Sequence, residues 1–466
     1  MTDPNPEDDA PKAAPPPLAA IVLAAGKGTR MKSALHKVLH PIAGRPMLEH
    51  LLDSVASLRP ERQVVVVGSD REQLERQLGS RAAIAVQQPQ LGTGHAVQQA
   101  QAALVGFSGD VLILYGDVPF VSVETLEAML ERLRGADRPA VVVLGFEPDD
   151  PLQYGRVIAR DGRIAKMVEH KDATADERAC RLCNSGLMAV RADELFGLLA
   201  RVGNANAQGE YYLVDIVNIA NADGRHCAVI VTADPDVVAG INSRAELAEA
   251  EGRWQARRRV EAMAAGASMT APETVWFAWD TRIGRDVTIE PNVFFGPGVA
   301  VADNVTIRAF SHLEGATLDS GVEIGPYARL RPGAVLHAGV KIGNFVEVKN
   351  AVLGAGAKAN HLTYLGDADV GAGANIGAGT ITCNYDGYFK HTTVIGPRAF
   401  IGSNSALIAP VKIGADAIVA AGSAVSRDVG DGELRMVRAE QLVKPGWADR
   451  FHDAMKKKKA DRKAQG

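Results

Sequence analysis

The sequence predicts an α/β domain with a mostly parallel sheet, then one long helix, and then a three-sided prism of short parallel strands. Two patterns carry this prediction: apolar runs alternate with helical stretches in the first half, and a six-residue repeat fills much of the second. A chain of 466 residues is long enough for two or three domains. We expect a disordered tail at 1–17, the α/β domain at 18–242, the helix at 243–267, the prism at 268–444 and a basic tail at 445–466.

Short apolar runs rich in β-branched residues predict the buried strands of the first domain. They lie at Ala19–Ala24, Val64–Val67, Val111–Tyr115 and Ala140–Gly145. Amphipathic stretches between them, such as Met47–Leu58 and Arg71–Leu78, predict helices. This alternation favours a mostly parallel sheet that is covered by helices on both faces.

A stretch rich in Ala, Glu and Arg predicts one long helix after the α/β domain. It is expected to run from Ser243 to about Ala267. Ser243 stands three residues before Glu246, which is the spacing of a capping box. Gly252 is the expected weak point, because glycine disfavours a helix interior.

An apolar residue recurs every six positions from Ile283 to Val425, with short slips and one interruption. A period of six fits neither a free helix nor hairpin strands, but three such units complete one coil of a triangular prism. We therefore expect about eight coils, with the apolar side chains stacked inside. These positions are Ile283, Ile289, Phe295, Val301, Ile307, Leu313, Leu318, Ile324, Leu330, Leu336, Ile342, Val348, Leu353, Ala359, Leu365, Val370, Ile376, Thr382, Ile395, Ile401, Leu407, Ile413, Val419 and Val425.

Composition and net charge limit which partners and which cellular location the protein can have. A net charge of -4 gives no general reason to bind nucleic acid, and no apolar run is long enough to span a membrane. Met1–Pro17 is acidic and proline-rich, without the apolar core of a signal peptide. Four cysteines do not make a disulfide framework in so long a chain, so a cytoplasmic location is expected. The basic end from Lys456 is expected to be solvated and frayed, with a weak anion-docking patch as the alternative.

A glycine-containing loop, LAAGKGTRM at 23–31, follows the first predicted strand. Its small residues let backbone N–H groups approach phosphate oxygens, and open parallel sheets bind ligands at this edge. The loop is neither a Walker A box nor a G-x-G-x-x-G sequence, and an ordinary tight turn would also explain the glycines. Arg30 and Lys37 add two cations, which polyphosphate chemistry requires.

Two further segments fit the same edge of the sheet. Asp117 closes the strand that ends at Tyr115 and is well placed to hold Mg²⁺, although a turn-capping aspartate is the alternative. Gly92-Thr93-Gly94, after Gln87, opens a helix whose main-chain groups could hold the edge of a base.

Together these segments resemble the sugar-1-phosphate nucleotidyltransferases, which have a Rossmann-like fold. The matching segments are LAAGKGTRM at 23–31, HKVL at 36–39, GTG at 92–94, YGDVP at 115–119, YGR at 154–156, EHKD at 169–172, NSG at 184–186 and GIN at 240–242. Within that superfamily, Leu18 to about Lys444 is similar to the bifunctional bacterial family of N-acetylglucosamine-1-phosphate uridyltransferase and glucosamine-1-phosphate N-acetyltransferase.

This resemblance implies a role for each matched residue. Asp117 and Asn242 would coordinate Mg²⁺, and Arg30 and Lys37 would be the catalytic cations beside the phosphates. The residues implied to contact nucleotide or sugar are Leu23, Ala24, Ala25, Gly26, Lys37, Gln87, Gly92, Thr93, Tyr115, Gly116, Asp117, Gly155, Glu169, Asn184 and Asn242. In-line attack on a phosphate needs positioning, cations and a metal, which these groups supply.

Departures from the six-residue repeat mark a second candidate site. His361 lies where the repeat is least regular, and Arg331 and Lys349 occupy positions that elsewhere hold small residues. The segment 383–391 adds about seven residues, and insertions in a solenoid project as loops. A histidine can remove a proton from an ammonium group so that the amine attacks a thioester, although a surface histidine is the alternative. Flat prism faces leave apolar surface exposed, which favours a trimer.

The prism resembles the left-handed parallel β-helix acetyltransferases. The resemblance implies that His361 is the general base and that Glu347 orients it. The residues implied to bind glucosamine 1-phosphate are Arg331, Lys349, Tyr364 and Asn375. Those implied to bind acetyl-CoA are Ala378, Asn384, Tyr385, Ser403, Ala421 and Arg438.

The sequence therefore predicts a homotrimeric enzyme with two sites. The first reaction would transfer acetyl from acetyl-CoA to glucosamine 1-phosphate. The second would transfer uridylyl from UTP to N-acetylglucosamine 1-phosphate with Mg²⁺, giving UDP-N-acetylglucosamine, a precursor in cell-envelope synthesis, and pyrophosphate.

Three alternatives stay open. One is a single-activity nucleotidyltransferase with a scaffold prism, which the insertion and His361 argue against. The second is a zinc hydratase with ligands from adjacent subunits, for which His312, His337 and His361 are widely scattered. The third is a non-catalytic scaffold.

Overall fold

The computed structural model describes residues 15–26, 28–69, 71–151 and 153–464. The disordered tail expected at 1–17 lies largely outside these residues. The chain forms two compact units that divide between Ala256 and Arg257. No helix of the described ranges is long and apolar enough to cross a membrane.

The first unit contains one nine-stranded sheet with the order β3-β2-β1-β4-β8-β5-β9-β7-β6. The strands are β1 Leu18–Ala24, β2 Arg62–Val67, β3 Ala83–Val86, β4 Asp110–Tyr115, β5 Val141–Phe146, β6 Arg156–Arg160, β7 Arg163–Val168, β8 Cys183–Arg191 and β9 Cys227–Val231. A two-stranded hairpin, Pro41–Ile42 with Arg45–Pro46, lies outside this sheet.

Helices cover both faces of the sheet. Those of the first unit are α1 Met47–Ser57, α2 Glu72–Leu78, α3 Thr93–Gln99, α4 Val123–Leu133, α5 Ala175–Arg178, α6 Ala192–Leu199 and α7 Asp215–Ala222. Short 3₁₀ turns lie at Thr29–Met31, Lys37–Leu39, Gln101–Leu104 and Pro235–Val238. Alternate residues of β1 point to opposite faces: Ala20, Val22 and Ala24 join one apolar core, and Ile21 and Leu23 join the other. This two-sided burial is why the strand is apolar throughout.

The predicted parallel arrangement is confirmed for β1, which pairs parallel with β2 and β4. The long strand β8 runs antiparallel between β4 and β5. Its apolar residues look the same in either direction, so the sequence pattern could not give its orientation.

The long helix predicted between the domains is α8, Arg244–Ala264. Its capping box is present: Glu246 N donates to Ser243 Oγ at 3.2 Å, and Ser243 N donates to a Glu246 carboxylate oxygen at 3.1 Å.

The second unit is a left-handed parallel β-helix, as predicted. The strands of its first face are Ser268–Met269, Thr288–Ile289, Thr306–Ile307, Glu323–Ile324, Lys341–Asn344, Lys358–His361, Asn375–Ile376, Phe400–Ile401, Ile418–Val419 and Leu434–Arg435. The strands of the other two faces are Arg282–Ile283, Phe294–Phe295, Ala300–Val301, His312–Leu313, Ala316–Leu318, Arg329–Leu330, Ala334–Leu336, Glu347–Leu353, Tyr364–Val370, Ile381–Cys383, Thr393–Ile395, Ala406–Ile408, Val411–Ile413 and Ala424–Val425. A 3₁₀ turn lies at Pro272–Thr274. The apolar repeat positions are buried, except Ile283, which is half-buried.

The C-terminal segment differs from its prediction. Residues Trp447–Ala464 form an exposed helix, α9, so solvation is confirmed but the expected fraying is wrong. Its Ala, Lys and Arg content favours a helix without any apolar core.

Candidate active sites

A cavity of about 260 Å³ lies at the carboxyl ends of β1 and β4. The predicted residues that line it are Leu23, Ala24, Ala25, Gly26, Lys37, Gln87, Gly92, Thr93, Tyr115 and Asp117. Val38, from the matched segment HKVL, also lines it, as do Gln90, Ala96 and Glu210, for which the sequence predicted no role. Arg30 is exposed, lies on the turn Thr29–Met31 and does not line the cavity.

Lys37, Asp117 and Asn242 meet through their side-chain ends. Lys37 Nζ forms an ion pair with Asp117 Oδ2 and donates a hydrogen bond to Asn242 Oδ1 at 2.6 Å. The Lys37 and Asp117 side chains are largely buried, 11% and 19% exposed. One carboxylate and one amide oxygen thus converge on a single cation. Both are oxygen ligands of the type that Mg²⁺ accepts, so the residues present fit the implied metal.

A glycine permits the close position of Lys37. Gly28 has φ +59°, and a Cβ added there would lie 2.6 Å from the Lys37 Cβ. A side chain at position 28 would therefore strain the backbone and displace Lys37.

Backbone hydrogen bonds fix the two oxygen ligands relative to each other. Ile241 N donates to the Asp117 carbonyl oxygen at 2.9 Å, so the segment before Asn242 is held beside the end of β4. Asn242 N donates to Glu246 Oε2 at 2.5 Å, which ties this residue to the first turn of α8.

Amide side chains hold the loops that surround the cavity. Gln87 Nε2 donates to the Gly92 carbonyl oxygen at 2.8 Å, and Gln90 Nε2 donates to that of Ala25. Gln90 was missed because nothing in its sequence context separates a loop glutamine that binds backbone from a solvated one.

The implied sugar contacts lie together near this cavity. Asn184 N donates to the Gly155 carbonyl oxygen at 2.9 Å, and a Cβ on Gly155 would lie 3.4 Å from a Glu169 carboxylate oxygen. Burial, with the charges of Asp172, Asp215 and Glu210 adding to it, raises the pKa of Glu169. Burial and the neighbouring Glu169 carboxylate also raise the pKa of Tyr115. A sugar hydroxyl could satisfy this desolvated carboxylate.

In the β-helix, a column of equivalent positions runs along one corner. A repeated backbone hydrogen bond links the members of the column. The carbonyl oxygen of each column residue accepts this bond from the next coil, where the donor is the N–H of the residue that directly follows the next column residue. The column consists of Asn344, His361, Ala378, Ser403 and Ala421. Arg438 Nη1 donates to the Ala421 carbonyl oxygen at 2.9 Å. The column therefore aligns the implied base with three of the implied acetyl-CoA residues, and a fourth, Arg438, contacts the last of them.

His361 is exposed, and its ring is held by Asn344. The His361 Nδ1 to Asn344 Oδ1 distance is 2.7 Å. Glu347 instead accepts a hydrogen bond from Arg331 Nη1 at 2.8 Å. The prediction that Glu347 orients His361 is therefore wrong, because the arginine on the strand before it takes the carboxylate. The coil period could have identified Asn344, which lies one coil before His361.

Cations gather on the face next to this corner. Glu347 pairs with Tyr364, and Lys349 with Gly366, in adjacent parallel strands. Lys390, from the insertion, approaches Lys349, and a hydrogen bond with Lys349 together with the positive charge of that residue lowers the pKa of Lys390. Two neighbouring ammonium groups favour an anion such as phosphate. Lys390 was not predicted from the sequence, because a lysine within a loop carries no pattern.

The implied residue Asn375 lies on a separate short strand, Asn375–Ile376, of the first face. This strand pairs in parallel with Lys358–His361, so Asn375 lies one coil beyond Lys358.

The insertion is tied down at its base and at its tip. Asp367 accepts hydrogen bonds from Asn350 Nδ2, at 2.6 Å, and from Asn384 Nδ2. Burial opposes ionisation of Asp367, but these bonds and the charges of Lys349 and Lys390 outweigh it and lower its pKa. At the tip, backbone N–H groups of Phe389 and Tyr388 and the His391 ring lower the pKa of Asp386 to about 2. Tyr385, implied to bind acetyl-CoA, is 60% exposed.

The histidines of the zinc alternative have other contacts. The His312 ring stacks on Phe294 with centroids 4.8 Å apart, and His337 Nδ1 lies 2.9 Å from Asp319 Oδ2. Within the described ranges, no three His, Cys, Asp or Glu side chains form a group that could hold a metal ion.

Comparison with known proteins adds two family matches. Residues 20–183 match the MobA-like NTP transferase domain, and residues 280–315 and 392–427 match the bacterial transferase hexapeptide (six repeats).

Curated relatives with the name bifunctional protein GlmU match almost the whole chain. The protein from Sphingopyxis alaskensis is 77% identical over 444 residues, which cover 95% of this chain and 98% of the relative. That from Novosphingobium aromaticivorans is 82% identical over 465 residues, covering 96% and 99%. That from Zymomonas mobilis is 57% identical over 446 residues, covering 95% and 99%.

Proposed function

The chain belongs to the family of the bifunctional GlmU proteins, and from this premise we propose how its two sites divide the work. The protein is a bifunctional enzyme, a uridylyltransferase and an acetyltransferase. The β-helix acetylates the amine of glucosamine 1-phosphate with acetyl-CoA. The α/β unit then joins the N-acetylglucosamine 1-phosphate to the uridylyl group of UTP and releases pyrophosphate. Acetyl transfer comes first because it needs the free amine of glucosamine 1-phosphate.

One observation carries the uridylyl step most directly: the Lys37 ammonium contacts both Asp117 and Asn242. These two residues would hold Mg²⁺, which when bound neutralises phosphate charge and stabilises the departing pyrophosphate. Lys37 would bind a phosphate oxygen of the nucleotide. Glu169, with Asn184 and the Gly155 backbone, positions the sugar phosphate for in-line attack on the α-phosphate.

In the acetyl step, His361 Nε2 takes a proton from the ammonium group of glucosamine 1-phosphate. The amine attacks the thioester carbonyl carbon, its nitrogen loses a second proton to solvent as the C–S bond breaks, and the proton on Nε2 passes to the coenzyme A thiolate. Arg331, Lys349 and Lys390 hold the phosphate. The column residues beyond His361 have small side chains, which leaves room for the coenzyme along the corner.

A row of exposed apolar side chains, which we call the corner ridge, supports a homotrimer. The ridge consists of Phe310, Tyr327, Phe345 and Leu362, which are 50%, 48%, 55% and 63% exposed. Ring centroids are 4.9 Å apart for Phe310 and Tyr327 and 5.3 Å apart for Tyr327 and Phe345. Such a patch favours burial against a second copy. We place the enzyme in the cytoplasm, in keeping with its four free cysteines.

Both reactions can be tested in one tube. Purified protein is given glucosamine 1-phosphate, acetyl-CoA, UTP and Mg²⁺, and each component is withheld in turn. Coenzyme A release should need only the first two, and pyrophosphate release should need all four. His361→Ala should abolish only the first and Asp117→Ala only the second, when N-acetylglucosamine 1-phosphate is supplied directly. Full acetyl transfer by His361→Ala would refute the assignment of the base.

A further inference from the structure

Strand register places Asn344 directly beside His361. The strands Lys341–Asn344 and Lys358–His361 pair in parallel, with Asn344 opposite His361. Opposed residues of adjacent parallel strands present their side chains on the same side of the sheet, one strand spacing apart. A backbone hydrogen bond also joins the two coils here, since Leu362 N donates to the Asn344 carbonyl oxygen at 3.1 Å.

A glycine brings the two coils into direct contact at this point. A Cβ on Gly343 would lie 1.9 Å from the Asn360 carbonyl oxygen, so any side chain at position 343 would push the coils apart. Gly343 precedes Asn344 and Asn360 precedes His361, so the close contact lies next to the pair. The separation of the two side chains is thus set by the backbone rather than by their own flexibility.

The hydrogen bond selects one form of the ring. Asn344 Oδ1 lies 2.7 Å from His361 Nδ1. An amide oxygen only accepts, so Nδ1 carries the proton and Nε2 keeps its lone pair. The opposite tautomer would place two lone pairs against each other. The amide is also neutral, so it orients the ring without adding the negative charge that would favour a protonated imidazole.

We propose that Asn344 is a positioning residue for acetyl transfer, whose amide oxygen holds His361 in the tautomer that leaves Nε2 free to accept the ammonium proton. The proposal rests on the proposed function in one respect, namely that His361 is the base. The structural half of the proposal, namely the tautomer of the His361 ring, can be tested without measuring any reaction.

The structural half is tested by nitrogen-15 NMR of the full-length protein labelled at histidine, with the His361 signals assigned from their loss in His361→Gln. A protonated Nδ1 and an unprotonated Nε2 are expected in the native protein, and a mixture of tautomers in Asn344→Ala. A dominant Nε2–H form in the native protein would overturn the proposal, whatever the enzyme catalyses.

The catalytic half is tested by acetyl-transfer kinetics. Asn344→Ala should lower kcat roughly 10-fold or more, with KM for glucosamine 1-phosphate little changed, because part of the general-base contribution is lost. Asn344→Asp keeps an oxygen acceptor, so it should retain most of kcat, while its charge moves the acidic limb of the pH profile upward. The charged groups on the adjacent face, Arg331, Glu347 and Lys349, are the same in all variants.

Circular dichroism and the sedimentation of the same variants report whether the β-helix is folded and assembled. An unchanged acetyl-transfer kcat and pH profile in Asn344→Ala would overturn the proposal. If Asn344→Ala fails to fold, Asn344→Asp decides: the upward pH shift supports the proposal and an unshifted profile contradicts it. Failure of the proposed function looks different, because His361→Ala would then keep acetyl transfer while the NMR result still holds.

Discussion

Lys37 contacts the oxygens of Asp117 and Asn242, and we expect it also to bind the nucleotide phosphate. Its ammonium lies where the oxygens of Asp117 and Asn242 meet, so it offsets the charge of a partly buried carboxylate. A divalent ion would compete with it for the same oxygens. The position of Lys37 therefore determines both the metal site and the phosphate contact.

Gly28→Ala should disturb this position without removing any charged group. The new Cβ would collide with Lys37, and the alanine would have to adopt positive φ, which costs about 1–2 kcal/mol. We expect uridylyl transfer to fall about 10-fold, in line with that energy, while acetyl transfer is unchanged. Gly197→Ala is the matched control, because an added Cβ there meets nothing within 4 Å. Equal rates in Gly28→Ala and Gly197→Ala would contradict this role of Gly28.

Glu169 gives a pH-dependent prediction. Its pKa is raised above the ordinary 4.5 mainly by burial. The folded state therefore binds this proton more tightly than the unfolded state. Its stabilising contribution is present below pH 4.5 and is lost as the pH rises through the raised value.

Glu169→Gln removes that ionisation. We expect Tm of the variant to exceed that of the native protein at pH 8 and to differ little at pH 4, as measured by calorimetry. The variant should also raise KM for the sugar phosphate about 10-fold, because a charged hydrogen-bond acceptor is lost. Glu127→Gln, on the exposed side of α4, serves as the control. An identical pH dependence of Tm in Glu169→Gln and native protein would contradict the prediction.

At the residue scale, the sequence could identify groups with a chemical signature but not their partners. Glycine-rich loops, Asp117 and His361 interrupt regular patterns, so they stand out. Asn344, Gln90 and Lys390 do not, because their importance comes from what lies beside them in space. The orientation of Glu347 was predicted wrongly for the same reason: Arg331 competes for it.

At the scale of elements, periodicity predicted most of the structure. The apolar runs of the strands and the coil period of six are both confirmed because they reflect burial, which dominates folding energetics. The antiparallel direction of β8 and the helix α9 were missed, since neither depends on an apolar period. The N-terminus of α8 was predicted, because a capping box is a local interaction.

That capping box links helix stability to the metal ligands. Glu246 accepts hydrogen bonds from the backbone of both Ser243 and Asn242. Glu246→Ala should therefore destabilise the first unit by about 1 kcal/mol, and raise the Mg²⁺ concentration needed for half-maximal uridylyl transfer several-fold. Exposed Glu249, on the same helix, offers the control Glu249→Ala. A Mg²⁺ dependence shared by both variants would show that the cap does not position Asn242.

At the scale of the whole molecule, the two units make different demands on assembly. The residues that line the cavity of the α/β unit all belong to that unit. The corner ridge is exposed, and Leu362 of the ridge directly follows His361. The acetyl site should therefore depend on trimer formation, and the uridylyl site should not.

Phe345→Asp places a charge in the middle of the corner ridge. Burying an unpaired carboxylate against a second copy is costly, so the trimer should dissociate to monomers in analytical ultracentrifugation. We expect acetyl transfer to fall at least about 10-fold through loss of the apolar interface, with uridylyl transfer retained. Val231→Asp changes an equally exposed apolar residue of the other unit and should leave both properties intact. A Phe345→Asp protein that stays trimeric would place the interface elsewhere on the β-helix, and a monomer with full acetyl transfer would show that a single chain completes this site.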